Sequence, residues 1–467
     1  MIVAVGKQFS RSYRAVVLNA RSGAFCQCGG RDVVRLVAAL AWFIVLADGS
    51  AHTAFAQDHG NRRLAWDSQL DFTPYAAGAV NELEAPDREY GAVPIAGWLV
   101  YTSALTGLVF DDNLFQTHSD KTSDWGVRLR PSFAASKNNG IHKTTVYGFA
   151  DAKLYRGEED ADIVDALAGA SHVWEVQRDF VVRMDGSISR QTDLNNPGII
   201  ATADGVHALA DPLTYNEVRG SASLQKSFGS LFFNLGSVVS YTAYDNVEDV
   251  LGQTFDQSGR DETHYTISGR AGAWLGPVFY AFIEPSQNWR RFGDEGFNSQ
   301  GQRIVAGIGS DRFSLFRGEI FAGYQRQAYD SEAIGTVSGN VLGGRLSWYP
   351  TRDLEFGLQA DRTIGDSTFP TPGNDWGSPV DATSVVLRGD YELTRIWSLS
   401  AVLGYTHANY EETVREDDQW IVGTTISYAL RRNVSATFDF RHTELDSNIA
   451  ANSFSRNVYT VGATYKY

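Results

Sequence analysis

From Trp98 onward, apolar side chains recur every second residue in runs of about ten to fifteen. This period constrains the fold more than any other feature. Tyr459, Val461, Ala463, Tyr465 and Tyr467 share one face of the last run, and Val458, Thr460, Gly462, Thr464 and Lys466 share the other. The run before it sets Val434, Ala436, Phe438 and Phe440 against Ser435, Thr437, Asp439 and Arg441, and Trp397 to Thr406 repeats the pattern. Strict alternation belongs to strands with one apolar face. Helical fold classes are therefore excluded.

The connections between runs alternate in length. Short links fall at 137–140, 177–179, 228–230, 275–277, 311–312, 350–352, 394–396 and 430–432. Long polar stretches fall around 114–123, 157–162, 193–213, 245–260, 292–298, 330–337, 366–381, 410–418 and 445–455. This predicts an all-β, transmembrane, up-and-down antiparallel β-barrel of about eighteen strands, with short periplasmic turns and long extracellular loops. Lipid offers no hydrogen-bond partner, so a spanning sheet must close on itself. A soluble sandwich or propeller also alternates, but has no cause to sort its connections by length. Aromatic residues at the run ends (Trp274, Trp348, Tyr349, Trp397 and Tyr428 beside short links, Trp125, Trp289, Tyr329, Tyr410 and Trp420 beside long ones) are expected to form two interfacial girdles.

The N-terminal region has a different character. Arg31 and Arg35 precede an apolar stretch, 36–47, too short to cross about 30 Å of hydrocarbon. Ala54 and Ala56 then supply the small-x-small pattern of signal cleavage, so residues 1–56 are expected to be a cleaved secretion signal. Residues 57–95 read as a periplasmic tail or small plug, and 96–467 as the outer-membrane barrel. The whole chain has 40 basic and 55 acidic residues, a net charge of -15. Residues 1–56 hold six basic and two acidic residues and both cysteines, Cys26 and Cys28. The exported chain is then more acidic still and free of cysteine. An acidic balance argues against nucleic acid as a partner.

Two stretches resemble known outer-membrane proteins. Thr460, Gly462, Tyr465 and Tyr467 are similar to the C-terminal assembly signal of such barrels, which implies the barrel-assembly machinery as a transient partner. Gly97-Trp98-Leu99-Val100-Tyr101, followed by Phe110-Asp111-Asp112-Asn113-Leu114-Phe115, resembles the start of the β-barrel porin 2 family, and the likeness extends over roughly residues 95–467. It implies location and fold more than substrate. Asp111, Asp112 and Asn113 are also simply favourable loop residues.

Alternation places Arg128, Arg130, Asp151, Lys153, Arg183, Asp185, Arg317, Glu319, Arg345, Glu355, Asp361, Arg388, Asp390, Glu392, Asp439 and Arg441 on the face away from lipid, where they are candidates for lining a pore. On the lipid face an Arg or Lys near the midplane would cost about 2–4 kcal/mol. The long connection 193–213 is unusually apolar, with Ile199, Ile200, Val206, Leu209 and Leu213. It is expected either to fold into the lumen as a constriction bearing Asp204, His207 and Asp211, or to pack outside on its neighbours and cap the mouth. The net charge would favour cations where it reaches the lumen. Much of it, such as Glu411, Glu412, Glu416, Asp417 and Asp418, belongs to loops facing lipopolysaccharide.

No G-x-S-x-G elbow, H-E-x-x-H or phosphate-binding glycine loop occurs, and the histidines are scattered. The expectation is a non-enzymatic protein without cofactor or metal: a porin-like channel for passive diffusion of small hydrophilic solutes. The alternative is a structural or surface-polymer-associated barrel (adhesin, receptor or export partner) without an open general pore. Outer-membrane lipid and lipopolysaccharide are the expected surroundings, and both a homotrimer and a monomer fit.

Overall fold

The computed structural model describes residues 93–193, 199–202, 205–367, 378–411 and 413–466. The expected signal (with Ala54 and Ala56), nearly all of the tail, Asp204 and Tyr467 lie outside the described residues. Eighteen antiparallel strands form the wall. They are β1 (Trp98–Asp111), β2 (Asp124–Asn138), β3 (His142–Tyr155), β4 (Ile163–Gln177), β5 (Phe180–Thr192), β6 (Thr214–Phe228), β7 (Leu231–Tyr244), β8 (Glu262–Trp274) and β9 (Phe279–Phe292). The second half comprises β10 (Ser299–Phe313), β11 (Phe316–Tyr329), β12 (Thr336–Thr351), β13 (Leu354–Asp366), β14 (Pro379–Tyr391), β15 (Trp397–Tyr410), β16 (Glu416–Arg431), β17 (Val434–Ser447) and β18 (Phe454–Lys466).

Each strand pairs with its chain neighbours, and β1 pairs with β18 from Ser103↔Lys466 to Asp111↔Val458, which closes the cylinder. Below Ser103 a short strand, Val93–Ile95, folds back on β1 through a two-residue turn at Ala96 and Gly97, both with positive φ. Closure leaves no open edge in the hydrocarbon, as a lipid environment demands. Strands of 13 to 16 residues exceed the nine to eleven or so needed to cross it, so their ends project beyond the bilayer.

The register preserves the two faces all the way round. Leu108 pairs with Val127 and Val461, Ile267 with Ser237, Ile283 with Ala271, and Leu358 with Leu346 and Leu387. The outward apolar side chains are exposed to what would be lipid. Trp125, Trp289, Trp348, Trp397, Trp420 and Tyr428 share this outer face at the strand ends. Trp397 packs on Tyr428 with centroids 4.6 Å apart, and Tyr405 on Trp420 at the same distance.

Four of the ten expected girdle residues instead have inward parity. Trp274 packs edge-on against buried Tyr280, Tyr329 donates to Asp366, and Tyr410 donates to Asp417. Tyr349 also lies on the lumen side. Nearness to a turn does not make a girdle residue, because parity decides which side of the sheet receives the ring.

Adjacent positions on β13 test the assignment. Leu358 faces out near the middle of its strand and Gln359, beside it, faces the lumen and is exposed. Leu358→Arg is expected to destabilise the folded barrel by about 2–4 kcal/mol, whereas Gln359→Arg stays within about 0.5 kcal/mol of wild type. Urea titration of both variants in liposomes, followed by tryptophan fluorescence, reads the difference, and equal losses would refute the facing.

Candidate functional site

The lumen has a wet wall and a packed one. On the wet side, β2 and β3 bring Arg128 against Asp151, with bonds of 2.9 Å from Nε and 2.7 Å from Nη2. Arg128 also reaches Asp439 of β17 at 3.3 Å, across the closure seam. Asp439 accepts from Thr425 as well. Arg130 lies over the Phe149 ring and 3.9 Å from Asp151. Lys153 follows Asp151 on the same face of β3, and Arg441 donates to Thr443. Arg183 donates to Gln225, and Asp185 shares its face of β5. Arg388 holds Asp390 two residues on, and Ser400 donates to the same carboxylate. Arg317 approaches Asp311 at 3.4 Å, and Glu355 and Asp361 face in from β13. Glu392 does not belong to the wall: it lies one residue past β14, in the exposed short turn.

On the packed side, β7 to β12 turn aromatic rings inward. Phe232, Tyr280, Phe282, Val305 and Val341 form a buried cluster inside the cylinder, with Trp274 and Phe321 against it. Glycines make room for it. A Cβ on Gly272 would stand 2.1 Å from the Phe232 ring, and one on Gly309 2.3 Å from that of Tyr280. Within this pile Arg270 donates to Glu284 at 2.6 Å and to Glu319 at 3.0 Å, and its guanidinium lies 3.9 Å from the Phe282 centroid. Tyr280 donates to Glu319, Arg345 lies 3.5 Å from Glu319, and Arg303 lies 3.6 Å from Glu284. Of this network, sequence reasoning singled out Glu319 and Arg345 and missed Arg270, Glu284 and Arg303, although their inward parity was readable.

Exposure also changes along the axis. At the outer rim the inward side chains Asp111, Tyr155, Tyr215, Tyr244, Arg290, Gln327, Val380, Ala408, Asp417 and Leu445 are at most 9% exposed. Deeper, towards the short turns, the side chains of Arg317, Arg345, Arg388 and Asp390 are 36–43% exposed. On the side of Arg317, Arg345 and Arg388 the lumen is therefore open near the short turns, whereas Phe232 and Tyr280, also near short turns, stay buried.

Part of the outer packing comes from the third long loop. Ile199–Thr202 and Gly205–Ala208 form a small hairpin. Ile200, Leu209 and Leu213 bury against lumen-facing Tyr215 and Tyr244 and against Val247 of the next loop. His207 pairs with Asp249 at 3.0 Å, and its ring packs on Phe255. Ile200, Leu209 and Leu213 thus cover the inner side of the rim, while His207 joins the neighbouring loop. Partial burial, together with nearby Asp160 and Glu248, pushes the Asp211 carboxyl up.

Asp261 closes the second of these loops. Burial, with Asp256 close by, raises its pKa to about 6 from the usual 3.8, although Tyr241 and Arg260 pull the other way. The folded loop therefore holds this proton more tightly than the unfolded chain, so Asp261 adds stability as pH falls from about 6 to about 4 and adds none above that window. Protection against hydrogen exchange over 245–261, taken relative to the unprotected amide rate at the same pH, is expected to be greater at pH 4.5 than at pH 7.5. Asp261→Asn should remove most of that difference, and an unchanged pH dependence would rule Asp261 out as its source.

The Asp111-Asp112-Asn113 run does more than turn the chain. Arg456 of β18 makes bonds of 2.6–3.1 Å to Asp111, Asp112 accepts from the backbone and side chain of Asn457, and Asn113 donates to the Ser455 carbonyl. These bonds staple the first strand to the last. Among the described residues no group of three or more metal-ligating side chains converges.

No functionally curated protein matches the sequence significantly. Among solved structures, the chain is similar to OccAB2 of Acinetobacter baumannii (13% identity, 80% of this chain and 98% of that one, TM-score 0.41). It is similar to a BenF-like porin of Pseudomonas fluorescens (11%, 80% and 100%, 0.40) and to the siderophore receptor PirA of A. baumannii (8%, 79% and 80%, 0.41). The family described as "Putative beta-barrel porin 2" matches residues 90–467, the whole wall and its staple, and the chain belongs to that family.

Proposed function

We propose that this protein is an outer-membrane channel for passive diffusion of small hydrophilic solutes, without catalytic activity. The observation that carries the reading is the inner wall. Paired charges of both signs (Arg388 with Asp390, both more than a third exposed, and the more enclosed Arg128 with Asp151 and Asp439) stand inside a closed, lipid-compatible cylinder. Such a wall screens a passing ion or sugar without holding it. The wall candidates named from the sequence, buried Glu319 and the turn residue Glu392 apart, would line this path, and Asp204, His207 and Asp211 would border its outer mouth.

The supporting parts follow from this reading. Residues 1–56 would be removed on export, 57–95 would remain as a periplasmic tail, and Thr460, Gly462, Tyr465 and Tyr467 would present the last strand to the assembly machinery. A homotrimer would use the trough of about 740 Å³ where Ala104, Pro131, Gly148, Ala150, Ala166 and Ala168 leave the outer face low.

The packed outer rim favours a second reading, a structural barrel with no open general pore. Swelling of proteoliposomes in sugars of graded size separates the two. Entry graded by size supports the channel. A folded barrel that admits none of the sugars, and passes no current in a planar bilayer, supports the structural reading.

A further inference from the structure

The wall is slit at its outer end. β12 begins at Thr336, yet it pairs with β13 only from Leu342↔Arg362 downward. Above that point Thr363–Asp366 stays paired with β14, from Thr363↔Ala382 to Asp366↔Pro379, and leaves β12 altogether. By parity Ile364 belongs on the lipid face, but it is buried, and its Cδ1 lies 3.6 Å from where a Cβ on Gly339 would stand, on the lumen side of β12. The end of β13 has curled inside the cylinder.

Side chains from two other strands hold it there. Gln325 of β11 treats it as a strand partner: its Nε2 donates to the Ile364 carbonyl at 3.0 Å, and its Oε1 accepts from the Ile364 N–H at 3.3 Å and the Thr363 hydroxyl at 3.0 Å. Arg290 of β9 donates to the same carbonyl and pairs with Asp366. Tyr329 donates to Asp366 at 2.5 Å. These bonds replace a backbone ladder that β12 could itself provide, because among the described residues Val337–Val341 has no strand partner on this side.

We infer that Thr363–Asp366 is a movable lip of the channel mouth. Latched inside by Gln325, Arg290 and Tyr329, it narrows the mouth; zipped onto β12 in the existing register, with Asn340 opposite Ile364, it restores the cylinder and widens the mouth. Both positions satisfy the Ile364 N–H and C=O, once through the Gln325 side chain and once through strand pairing, so neither state orphans them. The inference rests on the channel reading for its consequence, but not for the movement itself.

Cysteine chemistry tests it in the full exported chain, which has no cysteine of its own. In Asn340→Cys/Ile364→Cys the two thiols lie on opposite faces of the sheet when the lip is inside, and side by side when it is zipped. Oxidation in proteoliposomes is expected to cross-link this pair, more completely when Asp366→Asn is added. Unit conductance should then rise by about twofold or more and return on reduction. The pair Leu346→Cys/Leu358→Cys, already in register, serves as the positive control. If the control oxidises and the lip pair does not, with or without Asp366→Asn, the lip does not move. If it cross-links in a conducting barrel and conductance stays unchanged, the lip is no gate. If it cross-links and neither form conducts, the movement stands and the channel reading falls.

Discussion

Asp111→Ala should weaken the closed barrel more than any other single truncation at the seam, by about 3–5 kcal/mol. Asp111 is fully buried, and its carboxylate is the counter-charge of Arg456, itself buried. It also accepts from the Tyr155 hydroxyl and the Asn113 amide. Taking away the carboxylate leaves a guanidinium in a dry site with its charge unanswered, at the point where the first and last strands must meet. Asp111→Asn keeps the shape and some hydrogen bonding, so a smaller loss is expected. Asp111→Asn with Arg456→Gln removes both charges together and should recover much of the difference. Urea unfolding of reconstituted barrels gives the three stabilities. Should Asp111→Ala fall within 1 kcal/mol of wild type, the staple would be ornamental.

That staple joins residues about 345 positions apart, which explains why the run, beyond its family likeness, read only as favourable loop residues. Local sequence reports local preferences. Alternation is such a preference, repeated eighteen times, and it suffices for the strands, their faces and the sorting of short turns from long loops. It also carries most of the inward charges, since a wrong face would cost several kcal/mol at each. The short turn expected at 311–312 is displaced by only a few residues, because Asp311 and Arg312 continue β10 through an irregular register before turning.

Parity fails where the sheet stops being a cylinder. Ile364 obeys the lipid-facing pattern and is nonetheless inside, because its strand end has left the wall, and only the partners on β9 and β11 reveal this. Tyr329 and Tyr410 fail for a simpler reason. They were assigned by distance from a loop, and counting parity from Tyr324, exposed on the outer face, would have turned Tyr329 inward. The packing of the third and fourth long loops against each other has no periodic signature at all.

The sharpest contrast between the two walls comes from removing one charge on each. Glu319→Ala is expected to destabilise the barrel by about 3–5 kcal/mol, since it strips Arg270 of one of two buried carboxylate partners and leaves the Tyr280 hydroxyl without its acceptor. Arg388→Ala breaks a pair of similar geometry, but both side chains there stand more than a third exposed, so solvent screens the pair and the loss should stay below about 1 kcal/mol. The permeation effects run differently. Glu319 also restrains Arg345, which is 37% exposed toward the wet side, so its loss frees a cation at the path and should move the reversal potential towards anion preference. Arg388→Ala leaves Asp390 as an unbalanced anion on the path and should move the potential the opposite way with almost no change in stability. Reversal potentials in a salt gradient, measured beside urea midpoints, separate the two. Opposite shifts with unequal stabilities would mark one wall as scaffold and the other as conduit, whereas parallel behaviour would mean the lumen is uniform.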